Sequence, residues 1–316
     1  MFLYKVDRKE NLKLKKIAIC VCTYKRVNLL DKLINSLIVA REVFITNRNE
    51  EDFNVQVIIV DNDPEMSAES KVNYFMKDNP FINYYCESKS GLVMARNKCL
   101  EIGINNEYDY LAFIDDDEYV DKNWLDCMYK SLITTGAHIV FGKVETVYPP
   151  GCEEWIIKGG FFDKLQYADG TKNIISATAN VLLDVSIVRK EKEYFDLTFN
   201  TTGGEDTYLF KSYLKKGYQS VWCQSGIVYD LVAVERLKEK YIYLRAYTSS
   251  YTYSEIQQKL GEEHLITSLT KGIIKTIIPL LYYPFVLTGK KEKKVSVKKD
   301  FFSGLGRFKV KRISRY

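Results

Sequence analysis

Histidine is nearly absent from this chain of 316 residues, and proline is scarce. His138 and His264, the two histidines, share no metal-ligand spacing and read as structural, which argues against a histidine-built metal centre. Seven cysteines form no CxxC pair and no regular pattern, so neither a disulfide framework nor a thiol redox motif is indicated. Met1 to Lys16 carries scattered charges in place of a continuous apolar core, unlike a secretory leader. A reduced, cytosolic protein is the expectation. Internal repeats are missing, and so are low-complexity segments apart from a basic tail. The apolar run Ile273–Leu287 is interrupted by Lys275, Pro279 and Pro284 and is short for a bilayer span.

What is present is a large apolar fraction, 46% of residues, enough to bury a sizeable core as one α/β domain with or without an extension. Charge is unevenly placed. Eight Lys and three Arg against Glu292 and Asp300 give residues 289–316 a charge of +9; with +5 overall, residues 1–288 carry −4. An apolar patch followed by clustered cations supplies the two signals that stable peripheral membrane binding needs. A segment lying in the membrane interface is therefore expected, with a buried helix and a solvated tail as the alternative. Nucleic-acid binding is not indicated, because no recognisable binding fold surrounds the basic stretch.

Short β-rich runs at Ile17–Cys22 and Val55–Val60 flank a helical repeat of Leu29, Leu30, Leu33, Ile34, Leu37 and Ile38, giving a β-α-β unit. A further cycle follows: strand Phe81–Cys86, helix Leu92–Ile102, strand Tyr110–Ile114. The order predicts a doubly wound, mainly parallel, Rossmann-like sheet whose ligands gather at the carboxyl ends of the strands, where Thr23, Asp61 and Asp115 fall. Strands are then expected at His138–Val147, after Asn180 and at Tyr218–Cys223. A helix should open at Thr201 and run to Lys216, and a long Tyr-rich helix should cover 234–260. Trp155, in a Gly-rich stretch, is a candidate ligand contact through its aromatic face.

The run Phe113-Ile114-Asp115-Asp116-Asp117-Glu118 places four consecutive acids directly behind an apolar strand. Carboxylates so close repel unless a cation neutralises them, so the cluster suits a hard divalent metal with oxygen ligands that also holds substrate phosphates. Gly203-Gly204-Glu205-Asp206 puts two acids in a first helical turn, where they could equally serve as helix-capping charges.

With Cys20-Val21-Cys22-Thr23-Tyr24-Lys25-Arg26, Val60-Asp61-Asn62 and Gly91-Leu92-Val93-Met94-Ala95-Arg96-Asn97, these two motifs resemble, in order, those of the inverting family 2 glycosyltransferases with a GT-A fold. The likeness to bacterial members that build exopolysaccharide and lipopolysaccharide covers residues 17–235. It implies a catalytic domain over 1–233, with a nucleotide half at about 17–120 and an acceptor half at 121–233. A helical, membrane-associating extension follows over 234–316, with its apolar segment at 273–288 and its basic tail at 289–316. On this resemblance Thr23, Tyr24, Arg26, Asp61, Asn62 and Arg96 serve the donor nucleotide. Asp115 and Asp117 form the DxD pair, the first near the donor ribose and the second on Mn2+ or Mg2+, with Asp116 assisting. Asp206, beside Glu205, matches the general base. Where related enzymes often carry a metal-binding histidine, Asp230 stands, either as an oxygen ligand or as no ligand at all.

The expected activity is transfer of a sugar from a nucleotide diphosphate, most commonly UDP, to a growing, lipid-linked glycan at the cytosolic membrane face. A sugar-phosphate nucleotidyltransferase would want a Gly-rich phosphate loop, which Thr23-Tyr24-Lys25-Arg26 does not provide. A noncatalytic membrane-bound scaffold would need the acids only for structure.

Overall fold

The computed structural model describes residues 14–48 and 52–308. Strands β1 (Lys15–Thr23), β2 (Phe53–Asp61), β3 (Ile82–Cys86) and β4 (Tyr110–Asp115) alternate with helices α1 (Leu30–Thr46), α2 (Glu69–Met76) and α3 (Leu92–Asn105). There follow β5 (Glu118–Val120), α4 (Trp124–Thr135), β6 (Ile139–Val147), α5 (Glu154–Gly159), β7 (Asn180–Asp184), α6 (Val185–Glu191), α7 (Glu205–Lys215) and β8 (Ser220–Leu231). Three helices complete the described chain: α8 (Glu239–Lys259), α9 (Leu265–Val286) and α10 (Lys291–Gly306).

All eight strands form one sheet in the order β3-β2-β1-β4-β7-β6-β8-β5. The first four pair in parallel; the apolar runs of β1, β2 and β4 are buried on both faces, as interior parallel strands require, while β3 forms the sheet edge. Alternate residues feed two cores. Ile17, Ile19 and Val21 meet Leu33, Leu37 and Trp124 on one face, while Ala18 and Cys20 meet Val93, Cys99 and Phe210 on the other. Register matters most at the rim: Thr23 pairs with Asp61, and Cys22 with Asp115, so the polar strand ends share one edge.

Beyond β4 the sheet is mixed, since β7 runs antiparallel to both β4 and β6. The strand expected at Tyr218–Cys223 is longer: β8 continues past Gln224-Ser225-Gly226, whose polarity hides the continuation and which bulge out of register opposite Gly142/Lys143 of β6. That continuation pairs with the three-residue β5 and sets Glu118 opposite Asp230. Trp155 is not an open ligand contact. Only 8% exposed, it lies on α5, packs against Phe161 and donates its indole N–H to Glu153.

The helix expected from Thr201 begins at Glu205, because Gly203 and Gly204 adopt left-handed conformations (φ +73° and +95°). A Cβ on Gly204 would stand 2.4 Å from Thr252 of α8, so close packing as well as backbone conformation selects glycine there.

At the C-terminus, the apolar segment is part of a longer helix than expected. Upstream residues Leu265–Gly272 extend α9 to 22 residues, about 33 Å at the rise of an α-helix, long enough by length and composition to cross a bilayer. It is not a buried core helix, for Ile273, Ile274, Ile277, Ile278, Leu281 and Phe285 are exposed. The first half of the basic tail forms α10, which returns antiparallel along α9. Lys298 meets the Tyr283 ring, Gly304 meets Thr276, and Gly272 meets Arg307. Residues 309–316 lie outside the described residues, as do 1–13.

Candidate active site

A cavity of about 780 Å³ opens where β1, β2 and β4 end. Thr23, Tyr24, Arg26 and Asn62 line it from the loops after β1 and β2; Asp115, Asp116, Asp117, Glu118 and Asp230 line it from β4, β5 and β8. The sheet thus gathers acids from two distant segments, and each is met by a donor. Asp116 accepts from Thr23 Oγ1 (2.9 Å) and Arg26 Nη1 (3.0 Å). Asp117 Oδ2 takes Arg236 (3.2 Å) and, more distantly, Arg26 (3.4 Å), while Asp230 pairs with Lys164 (2.6 Å). Glu118, 3% exposed, turns back to accept the backbone N–H of Asp115 (3.0 Å), which closes the acidic turn.

Burial, then the neighbouring carboxylates, sets the protonation of this cluster. The Asp117 carboxyl is raised to about 6, first by burial and then by Asp115, against the pull of Arg236. Glu118 is pushed well above the usual carboxylate range by burial and by Asp115 and Asp230. Asp116 is raised by burial, opposed by Arg26. Among the described residues no three acids, cysteines or histidines already stand close enough together to enclose a metal, and Arg26, Arg236 and Lys164 pair with Asp116, Asp117 and Asp230. The chemistry of the donor set still fits a hard divalent cation: Asp115, Asp117 and Asp230, which line one cavity, offer only carboxylate oxygens.

Arg96 sits on α3, 5% exposed, and reaches Asp115 Oδ1 (3.1 Å) with one nitrogen while the other pairs with Glu205. One guanidinium thus ties the end of β4 to the first turn of α7. In this arrangement Arg96 lies behind the cavity wall, and Glu205, 2% exposed, is engaged by Arg96. The next residue, Asp206, is half-buried; its Oδ1 accepts Thr207 N–H (2.6 Å), and Oδ2 accepts from no described residue. Replacing Arg96 breaks a buried ion pair from one side, so Arg96→Met is expected to cost about 3–5 kcal/mol, and Arg96→Met/Glu205→Met to recover most of it. Urea midpoints at unchanged slope measure both.

Asp61 lies beneath the cavity. Its carboxylate, fully buried, accepts Asp63 N–H (3.0 Å), Ala68 N–H (2.8 Å) and Tyr84 O–H (3.0 Å), and so holds the loop after β2. Asn62 reaches the cavity, anchored by its amide on Glu87 O and Lys89 O and accepting from Gly91 N–H. Lys164, Arg245 and Thr248 also line the cavity and were not singled out from sequence, and Arg236 and Tyr241 join them from the start of the Tyr-rich region. They come from a loop and from α8 and its approach, with no local motif to mark them.

A sheet whose carboxyl rim carries an acid cluster over a cavity, joined to a second acid-bearing helix, is the architecture of a GT-A glycosyltransferase. Solved structures share this fold. The crystal structure of S. aureus TarS 1-349 in complex with UDP matches with a TM-score of 0.52 and 13% identity, over 93% of this chain and 90% of that one. GalNAc-T7 with UDP, GalNAc and Mn2+ matches with a TM-score of 0.54 and 12% identity, over 77% of this chain and 50% of that one. The chain belongs to glycosyl transferase family 2, whose model matches residues 18–192. Among its relatives is ExoM, a succinoglycan biosynthesis protein of Rhizobium meliloti (strain 1021), 31% identical over 241 residues, which are 76% of this chain and 74% of ExoM. The protein is therefore a glycosyltransferase, and the nucleotidyltransferase and scaffold readings fall away.

Proposed function

We propose that this enzyme moves a sugar from a nucleotide diphosphate donor, with UDP as the first candidate, to a growing lipid-linked glycan in exopolysaccharide synthesis, inverting the anomeric configuration. One observation carries the reading: a single cavity holds the loops after β1 and β2 beside the acid cluster, and Arg96 ties that cluster to the acids of α7. Support for the donor comes from the UDP bound to TarS and to GalNAc-T7, and for the pathway from the name of ExoM.

In this reading Thr23, Tyr24, Arg26 and Asn62 hold the nucleotide, and Asp61 fixes the loop that presents Asn62. Asp115, Asp117 and Asp230 would hold Mn2+ or Mg2+, with Asp116 and Glu118 shaping the turn; when bound, the metal neutralises charge on the departing diphosphate. Asp206, beside Glu205 in the first turn of α7, takes the acceptor hydroxyl proton, while Glu205 keeps Arg96 against Asp115 as a positioning contact. A single displacement assisted by one base inverts the configuration.

The catalytic domain is assigned to 1–233 and the membrane-facing extension to 234–316, on the cytosolic face. Peripheral attachment fits better than a crossing. If α9 spanned the bilayer, α10 packed along it would carry Lys293, Lys294, Lys298 and Lys299 towards the hydrocarbon, at several kcal/mol in all.

The test is release of nucleoside diphosphate from nucleotide sugars by purified protein. Release is expected only with added Mn2+ or Mg2+, and full release in EDTA would overturn the metal assignment.

A further inference from the structure

A second cavity, of about 560 Å³, lies between α8 and α10 and shares Phe162, Tyr241 and Arg245 with the donor cavity. The same three side chains therefore wall both spaces. Its far side presents Lys275 of α9, Lys299 of α10 and Arg307, against Asp300 as the one acid in the lining. Arg307 is 7% exposed and pairs with Glu263, yet its Nε is buried without a hydrogen-bond partner among the described residues. Lys275 and Lys299 make no ion pair with any described residue; Lys299 lies 5.9 Å over the Phe161 ring. Two uncompensated ammonium groups and an unsatisfied guanidinium nitrogen favour a ligand with several anionic oxygens, and phosphate groups meet that geometry.

Position supplies the rest. Within three turns of Lys275 on the same helix, Ile277, Ile278, Leu281 and Phe285 are exposed, so the cavity sits at the edge of the apolar surface of the molecule. A ligand that fits both features is anionic in the middle and apolar at one end, and its other end points to the donor cavity through the shared wall.

We infer that the cavity between α8 and α10 binds the phosphate or diphosphate of an acceptor saccharide carried on a long hydrocarbon chain. The saccharide end enters the donor cavity past Tyr241 and Phe162, and the chain leaves along the exposed face of α9 into the bilayer. The inference rests on the glycosyltransferase reading above and deepens it by naming how the acceptor is held. The phosphate chemistry alone is shared with ordinary anionic lipids, so the test separates the two.

Full-length protein is titrated with three vesicle types: phosphatidylcholine alone, phosphatidylcholine with phosphatidylglycerol, and phosphatidylcholine with polyprenyl diphosphate, the last two matched in surface charge. Binding to the polyprenyl diphosphate vesicles is expected to be about tenfold tighter than to the phosphatidylglycerol vesicles, equivalent to about 1.4 kcal/mol. Lys275→Ala/Lys299→Ala is expected to abolish that preference. Lys293→Ala/Lys294→Ala, outside the cavity lining, should weaken binding to both anionic vesicles alike and keep the preference. Equal binding of both anionic vesicles by the wild type, or a preference that survives in the Lys275/Lys299 variant, overturns the inference. UDP-sugar binding with Mn2+ is measured on the same samples; its absence would instead count against the donor-site reading.

Discussion

Asp206→Asn should lower kcat by about 10²–10⁴-fold, the usual contribution of a positioned base, while the donor Kd stays within a factor of about two. The substitution is conservative in structure. Asn keeps an oxygen that can accept the Thr207 N–H, so the first turn of α7 retains its local bond. It loses a negative charge near the helix N-terminus, worth roughly 0.3–1 kcal/mol, too little to unfold the protein. Glu205 cannot readily replace it, being buried and engaged by Arg96. Stopped turnover with donor binding intact is therefore the signature of a missing base, measured by single-turnover product formation beside calorimetric donor titration. A kcat within threefold of wild type would remove Asp206 from the chemistry.

Asp117→Asn should produce two effects of opposite sign. The metal-free protein becomes more stable near pH 7, and stabilisation by a nucleotide sugar with Mn2+ is lost. The first follows from linkage. A folded-state value of about 6 lies above the ordinary value of about 4, so the folded protein holds its proton more tightly than the unfolded chain. The stability associated with the protonated carboxyl is fully present below about pH 4 and is lost as pH rises through about 6. At pH 7 the wild type thus carries a penalty on the order of 2–3 kcal/mol that Asn avoids. Urea midpoints of the two proteins should accordingly diverge between pH 4 and 6 and remain apart above it. The second effect follows from losing one carboxylate from an all-oxygen donor set, and thermal shifts with and without Mn2+ measure it. Equal Mn2+-dependent shifts in both proteins would show that Asp117 is not a ligand.

The same carboxylate shows where local sequence stops informing. That Asp115 to Glu118 would stand at a strand end was legible, because Tyr110–Ile114 is an apolar run of strand length and the acids break it. The β-α-β order, the helix face of Leu30, Leu33, Ile34 and Leu37, and the glycines before α7 were legible for the same reason: period, apolarity and backbone freedom are properties of a few neighbouring residues. Motif order also carried the family.

The antiparallel insertion of β7, the pairing of β5 with β8 and the partners of each acid were not legible. Which cation meets Asp117 depends on Arg236, 119 positions away, and the Arg96–Glu205 pair spans 109. Asp61, read as facing the nucleotide, accepts from the loop after β2 and from Tyr84 of β3, and Trp155, read as a ligand contact, fills a small core. Sequence by itself determined the β-α-β order of the first half, the acid-bearing rim and the family, since each is written in short-range chemistry. Only the tertiary structure decided which charges neutralise one another, which face of α9 remains uncovered and which cavities share a wall, because those follow from contacts between segments that no local pattern encodes.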